Sequence, residues 1–224
     1  MASLVVADHR LAELARGLPE GDPTLSVCVV NTSGAGGLLG LANRRTPGVD
    51  IVAVRSPLRD LDDLAGNAAR VVSAAGALPD TVELYVEIPC AHGWERAVAV
   101  VEAAGVHGSV AVSDTVTSAD AWILARQLEG FVEADLPFRV SGLHPTSVSL
   151  PTLLQAVHAL VDGVSAPETA AMLAQPDDED NAAAVLGWEE TETARLRRRL
   201  VRVECTALAT TLTDLRALDA FSRP

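Results

Sequence analysis

The sequence predicts an α/β protein built from parallel strand–helix repeats, and three observations predict it. First, residues 78–145 alternate three short β-type runs (81–88, 106–113 and 137–142) with two helix-type runs (92–104 and 118–130). A strand followed by a helix of ten to fifteen residues, repeated, is the pattern of βαβ units. Second, strand-like runs start near residues 25, 50, 81, 106, 137 and 200, and most early intervals match the length of one βα unit. Third, 49% of the 224 residues are apolar but only 3% are aromatic, so the core must be built from Ala, Val and Leu. A chain of this length reads as a single domain spanning residues 1–224.

Taken in order, Asp8 reads as the N-cap of a short helix over 9–16, stopped by Gly17. Residues 25–30 form the first strand, ended by the loop NTSGAGG. A short helix is expected over 38–44, broken at Pro47-Gly48. Residues 50–55 are the second strand. Apolar residues at Leu58, Leu61, Leu64, Ala65, Ala68, Val71 and Val72 predict a helix over 58–75, with Asp60, Asp62 and Asp63 favourable to its dipole. After the central stretch, helices are expected over 149–161, 167–174 and 191–200. The acidic run from Pro176 to Asp180 reads as a solvated loop or a helix start. Residues 200–206 alternate as a last strand and 214–221 read as a closing helix. The interval 142–200 is long enough to hold one or two further strands, or to be helical.

The charge balance excludes several classes of function. Formal net charge is −13, with no basic tail or stripe. Nucleic acids and anionic membranes both require clustered Lys and Arg, so neither is an expected partner. All 17 basic side chains are arginine, which removes Schiff-base chemistry on lysine. Cys28, Cys90 and Cys205 are odd in number and far apart, with neither a disulfide framework nor zinc-ribbon spacing. No signal-peptide or membrane-spanning pattern is visible. The expectation is a soluble, cytoplasmic protein.

The run 81–88 carries the oddest signal. Val82, Leu84, Val86 and Ile88 share one face; Glu83, Tyr85 and Glu87 share the other. A parallel strand covered on both faces should be apolar throughout. Two readings follow: an edge strand with one solvated face, or a barrel strand whose inner face lines a polar lumen. The lumen reading predicts that Glu83, Tyr85 and Glu87 face the same interior as Arg139 and Arg202.

In a βα barrel the functional groups sit at the C-terminal strand ends. Those ends supply Asn31, Arg55, Glu87, Ser113, Asp114, Arg139, Ser141, His144 and Glu204. Of these, Glu87, Arg139 and His144 are the candidate catalytic residues. Arg139 would hold an anionic group of the substrate, and Glu87 or His144 would move a proton. Asn31, Arg55, Ser113, Asp114, Ser141 and Glu204 are candidate substrate contacts. The competing reading is a structural network in which these charges compensate one another, since an isolated buried charge is costly.

Two blocks, residues 58–89 (LRDLDDLAGNAARVVSAAGALPDTVELYVEIP) and residues 135–145 (DLPFRVSGLHP), resemble a family of uncharacterised actinobacterial proteins with a TIM-barrel-like βα pattern. The similarity runs faintly from about residue 25 to 218. Members carry a Lys- and Gly-containing strand where this chain has GSVAVSDTVTS. They have Lys in place of Arg139, and a double His where this chain has His144-Pro145. The resemblance implies a TIM-barrel-like fold of parallel (βα) repeats, incomplete or irregular in this chain, and assigns no reaction.

Two rivals are weighed beside it. The glycines of Ser33-Gly34-Ala35-Gly36-Gly37-Leu38-Leu39-Gly40, after a strand and before a helix, suggest a dinucleotide loop, with Arg55 placed to take a 2′-phosphate of NADP. The spacing departs from the standard fingerprint. Glu87, Cys90, His92 and His144 could meet as a zinc site, though Cys-x-His is not a strong spacing. The expectation is an enzyme of lyase or isomerase type acting on a small anionic metabolite, with no cofactor and no metal. The alternatives are a catalytically degenerate barrel that binds a ligand or partner, and an NADP-binding Rossmann-type oxidoreductase. A homodimer covering an open sheet edge is expected.

Overall fold

A computed structural model describes residues 3–19, 23–113, 116–144, 147–175 and 178–206. The candidate contact Asp114 and the closing helix expected over 214–221 lie outside the described residues. The chain divides into two compact units, residues 1–109 and 110–224. The class is the expected one: α/β, TIM-barrel-like, with parallel (βα) repeats. Seven strands occur among the described residues, one fewer than the eight of a closed (βα)₈ barrel.

Unit 1 opens with β1 (Leu4–Ala7), a 3-10 turn (Asp8–Arg10) and α1 (Leu11–Gly17). It continues with β2 (Leu25–Val30), α2 (Gly34–Ala42), β3 (Val49–Pro57), α3 (Leu64–Ala75), β4 (Glu83–Glu87) and α4 (Trp94–Ala103), and reaches β5 (His107–Ala111). The strands pair in parallel in the order β1-β2-β3-β4-β5. This order has no reversal, and reversal is what opens the nucleotide crevice of a Rossmann fold. Val27, Cys28 and Val29 are fully buried, as are Ala53 and Val54. That is why these strands read as continuous apolar runs: residues on both of their faces are buried.

Four expectations are corrected in unit 1. β1 precedes the strand read as first, and pairs Leu4 with Val27 through Ala7 with Val30. Asp8 does not cap a helix; Ala7 holds the N-cap position and the Asp8 carboxylate turns to Thr32 and Ser33. α2 begins at Gly34 rather than residue 38, so the glycine-rich loop is the first turn of a helix. α3 begins at Leu64 rather than residue 58, because Asp63 caps it by accepting from the Gly66 amide at 2.9 Å.

β4 settles the reading of its polar face. It pairs with β3 on one side and β5 on the other, so it is not an edge strand. Tyr85 is 1% exposed and packs with Cys28, Ala53 and Val5. Its hydroxyl donates to Glu83 at 2.7 Å, and its ring stacks on His107 with centroids 5.1 Å apart. The carboxylates sit at the two ends of the strand, where Glu83 is exposed and Glu87 is ion-paired.

Unit 2 contains α5 (Ser118–Glu133), β6 (Phe138–Leu143), α6 (Leu150–Val161), α7 (Ala166–Ala174), α8 (Asp178–Leu186), α9 (Glu190–Arg199) and β7 (Leu200–Cys205). β6 and β7 pair in parallel. The described residues between β6 and β7 are helical, with no further strand. Local sequence sets these helix starts. Thr117 and Asp120 form a reciprocal capping box on α5, Ser149 with Pro151 starts α6, and Ser165 with Glu168 and Pro167 starts α7. Phe131 of α5 packs on Phe138 of β6 with ring centroids 5.5 Å apart, both fully buried. No helix among the described residues is long and apolar enough to cross a membrane.

Candidate functional site

The strand-end residues fall into three side-chain clusters, two in unit 1 and one in unit 2. The first lies at the ends of β3 and β4. Arg55 Nη1 donates to Glu87 Oε2 at 3.0 Å, and the two side chains keep 15% and 21% of their surface in solvent. Register places Arg55 beside Tyr85, and Pro57 beside Glu87. Glu87 in turn faces Ser109 of β5. Ser109 is fully buried, and its hydroxyl has no hydrogen-bond partner among the described residues. An unsatisfied buried hydroxyl costs about 1–3 kcal/mol.

The second cluster lies at the ends of β1 and β2. The Asp8 carboxylate accepts from the Thr32 amide (2.9 Å), the Thr32 hydroxyl, the Ser33 hydroxyl (3.3 Å) and the His9 amide (2.8 Å). Burial alone would raise its pKa, but the donors from Thr32, His9 and Ser33 outweigh it and hold the carboxyl below the ordinary aspartate value. Arg44 Nη1 donates to the Asp8 carbonyl at 3.1 Å. A cavity of about 260 Å³ adjoins, lined by Asp8, His9, Ser33, Gly37 and Arg44 among others. Asn31 sits beneath it, fully buried: its amide donates to the Gly34 carbonyl (2.7 Å) and to Ser56 Oγ (3.0 Å), and its Oδ1 accepts from the Ser33 amide (3.2 Å). Asn31 therefore fastens the first turn of α2 and is closed to a ligand. A Cβ on Gly37 would stand 2.3 Å from Asn31 Oδ1, which is why that position of the helix is glycine.

The third cluster is in unit 2. Arg139 is the second residue of β6, near the strand's start rather than at the C-terminal end expected of it; it is 1% exposed and ion-paired to Glu204 of β7, whose side chain is 13% exposed. Arg202 is in register with Arg139. Ser141 is fully buried and donates to the Val110 carbonyl at 3.1 Å. Gly142 has φ +79°, and a Cβ there would lie 2.7 Å from the Val112 carbonyl oxygen. The glycine thus answers to a close backbone approach rather than to a ligand. His144 follows β6 and is half-buried; its amide donates to Ser147 Oγ at 3.2 Å, and Ser147 Oγ donates back to its carbonyl at 2.8 Å.

The structure therefore unites Arg55 with Glu87, and Arg139 with Glu204. Asn31 bonds the backbone of Gly34 and Ser33 and the Ser56 hydroxyl, and Ser141 donates to the Val110 carbonyl. Ser113 is exposed just after β5. Cys90 is exposed, and Glu87 turns to Arg55; among the described residues no three His, Cys, Asp or Glu side chains gather as a metal site. Ser109, in the middle of β5 beside the end of β4, and Asp8, just after β1, were not selected as site residues by the sequence reading. Ser109 had a signal, as a lone hydroxyl in the run His107-Gly108-Ser109-Val110. Asp8 had none, because β1 itself was not recognised. A cavity of about 430 Å³ lined by Arg44, Thr46, Asp50, Leu78 and Thr81 lies at the start of β3, the end of a βα unit associated with stability rather than chemistry.

No protein-family model matches the chain, and no curated protein matches it.

Proposed function

We propose that the chain is a catalytically degenerate βα barrel that binds a small anionic molecule at the Arg55–Glu87 strand ends of unit 1 without transforming it. One observation carries this reading: of the two strand guanidiniums singled out, Arg139 is buried and matched by Glu204, while Arg55, near the end of β3, still reaches solvent. A guanidinium that is both buried and neutralised offers an incoming anion no access. Arg55 can present part of its planar N–H fork to a carboxylate or phosphate. The family that the sequence blocks resemble carries Lys where this chain has Arg139, and a second His where it has Pro145. Those departures fall at the positions where a catalyst would be kept.

The lyase or isomerase reading retains one supporting observation. Glu87 is a partly exposed carboxylate beside a guanidinium, which is a workable acid/base arrangement for an anionic substrate. One experiment separates the two. The full chain is incubated at low ionic strength with a pool of small carboxylates and phosphate esters, and both the bound and the free fractions are read by mass spectrometry. The proposal expects retention of an unchanged anion, weakened in Arg55→Ala. Turnover of any member, lost in Glu87→Gln, would establish the enzyme instead. No retention and no turnover would remove both.

A further inference from the structure

A second arginine cluster lies in unit 2, away from the strand-end residues. Arg195, Arg198 and Arg199 of α9, with Asp135 and Val161, line a cleft of about 310 Å³. The clustering is notable in a chain of net charge −13. Two of the three guanidiniums are fixed by carboxylates. Arg195 Nη2 lies 2.9 Å from Asp162 and also donates to the Val161 carbonyl, and Arg199 pairs with Asp135. Asp135 holds the left-handed conformation, φ +55°, in the turn between α5 and β6. Arg198 is exposed and makes no hydrogen bond or ion pair among the described residues.

Basic residues in a last helical turn are favourable to the helix dipole, and that accounts for some arginine at this end of α9. It does not account for three guanidiniums lining one cleft with two of them braced. Bracing fixes their orientation in advance, which lowers the entropy lost on meeting a ligand. We infer that this cleft is a binding site for the phosphate group of a small phosphate monoester. The three forks present more N–H groups than the two oxygens of a carboxylate can accept, whereas a phosphate offers three terminal oxygens and a second charge. The cleft is larger than a phosphate alone, and Val161 gives the organic part of the ester an apolar wall. With Asp135 and Asp162 opposing the three arginines, a monoanion gains little and a dianion is selected.

The test uses the full chain at low ionic strength, with phenyl phosphate as the probe and benzoate as the monoanion control, followed by calorimetric or NMR titration. Wild-type protein is expected to bind phenyl phosphate saturably and at least ten-fold more tightly than benzoate. Arg198→Ala, an exposed and unpartnered position, is expected to weaken phenyl phosphate ten-fold or more with the melting temperature unchanged. Arg197→Ala, on the same helix but not lining the cleft, is expected to match wild type. Absence of saturable binding, equal affinity for the two probes, or an Arg198→Ala titration identical to wild type would each overturn the inference. Because Arg55→Ala leaves this cleft intact, loss of phenyl phosphate in Arg55→Ala but not in Arg198→Ala would assign the anion to the strand-end site and likewise overturn it.

Discussion

Arg55–Glu87 and Arg139–Glu204 look alike in sequence: each joins an arginine to a carboxylate on a neighbouring parallel strand, although Arg55 lies near the end of β3 and Arg139 near the start of β6. They differ in access to water. The guanidiniums carry the difference: Arg139 is 1% exposed and Arg55 15%, while the carboxylates of Glu204 and Glu87 keep 13% and 21% of their side-chain surface in solvent. A sealed ion pair is a commitment, because removing either partner strands a charge in a low-dielectric interior. A partly solvated pair is exchangeable, because water or a guest anion can stand in for the missing partner. On the proposed function, the same two residue types are framework in one unit and binding site in the other, and burial decides which.

The largest expected effect comes from breaking the sealed pair. Glu204→Ala leaves the Arg139 guanidinium buried without its carboxylate and should destabilise unit 2 by about 3–5 kcal/mol, read from chemical denaturation. A cost under about 1 kcal/mol would mean that the pair is not sealed, and the contrast between the two regions would collapse.

Asp8 sharpens the comparison from the other direction, as a buried carboxylate satisfied by hydrogen bonds rather than by a guanidinium. Asp8→Ala should cost about 2–3 kcal/mol through the Thr32 and Ser33 donors left unpaired. Its folded pKa lies below its unfolded value, so its contribution is present above the ordinary aspartate pKa and is lost as pH falls through the depressed folded value. Asp8→Asn should therefore flatten the acid limb of the stability–pH curve. An unchanged acid limb would show that the carboxylate is not held by these donors.

Arg55→Ala should cost less, about 1–2 kcal/mol, between the values for exposed and for buried pairs. Added salt should shrink that cost, and should leave the Glu204→Ala cost nearly unchanged. Equal salt sensitivity in the two variants would argue that the pairs are equivalent. The smallest effect is a baseline: Thr117→Ala removes the α5 cap, touches neither pair, and should cost about 1 kcal/mol.

Parallel βα order was legible because each strand and helix of the central stretch has its own period, and the caps at Thr117, Ser149 and Ser165 mark helix starts locally. β1 was not legible: four residues, Leu4–Ala7, are too few to show a period, and only pairing with β2 makes them a strand. The start of α2 was hidden for a different reason. Gly34, Gly36 and Gly37 are poor helix formers, and what holds them is the buried Asn31, a tertiary contact that no local pattern announces. Arg55 and Arg139 were found from their expected places at strand ends, which holds for Arg55 but not for Arg139. Their roles were not, because exposure depends on which carboxylate each one meets after folding. Arg139 meets Glu204 across 65 positions of sequence.

The most direct measurement replaces both members of the sealed pair. Arg139→Met, Glu204→Leu and the double variant are compared by melting curves, with phenyl phosphate titrated into each at low ionic strength. The framework account predicts a melting temperature lowered by several degrees in each single variant and largely restored in the double, with anion affinity equal to wild type throughout. A wild-type melting temperature in Arg139→Met, together with loss of anion binding, would contradict it and return Arg139 to the role of a ligand residue.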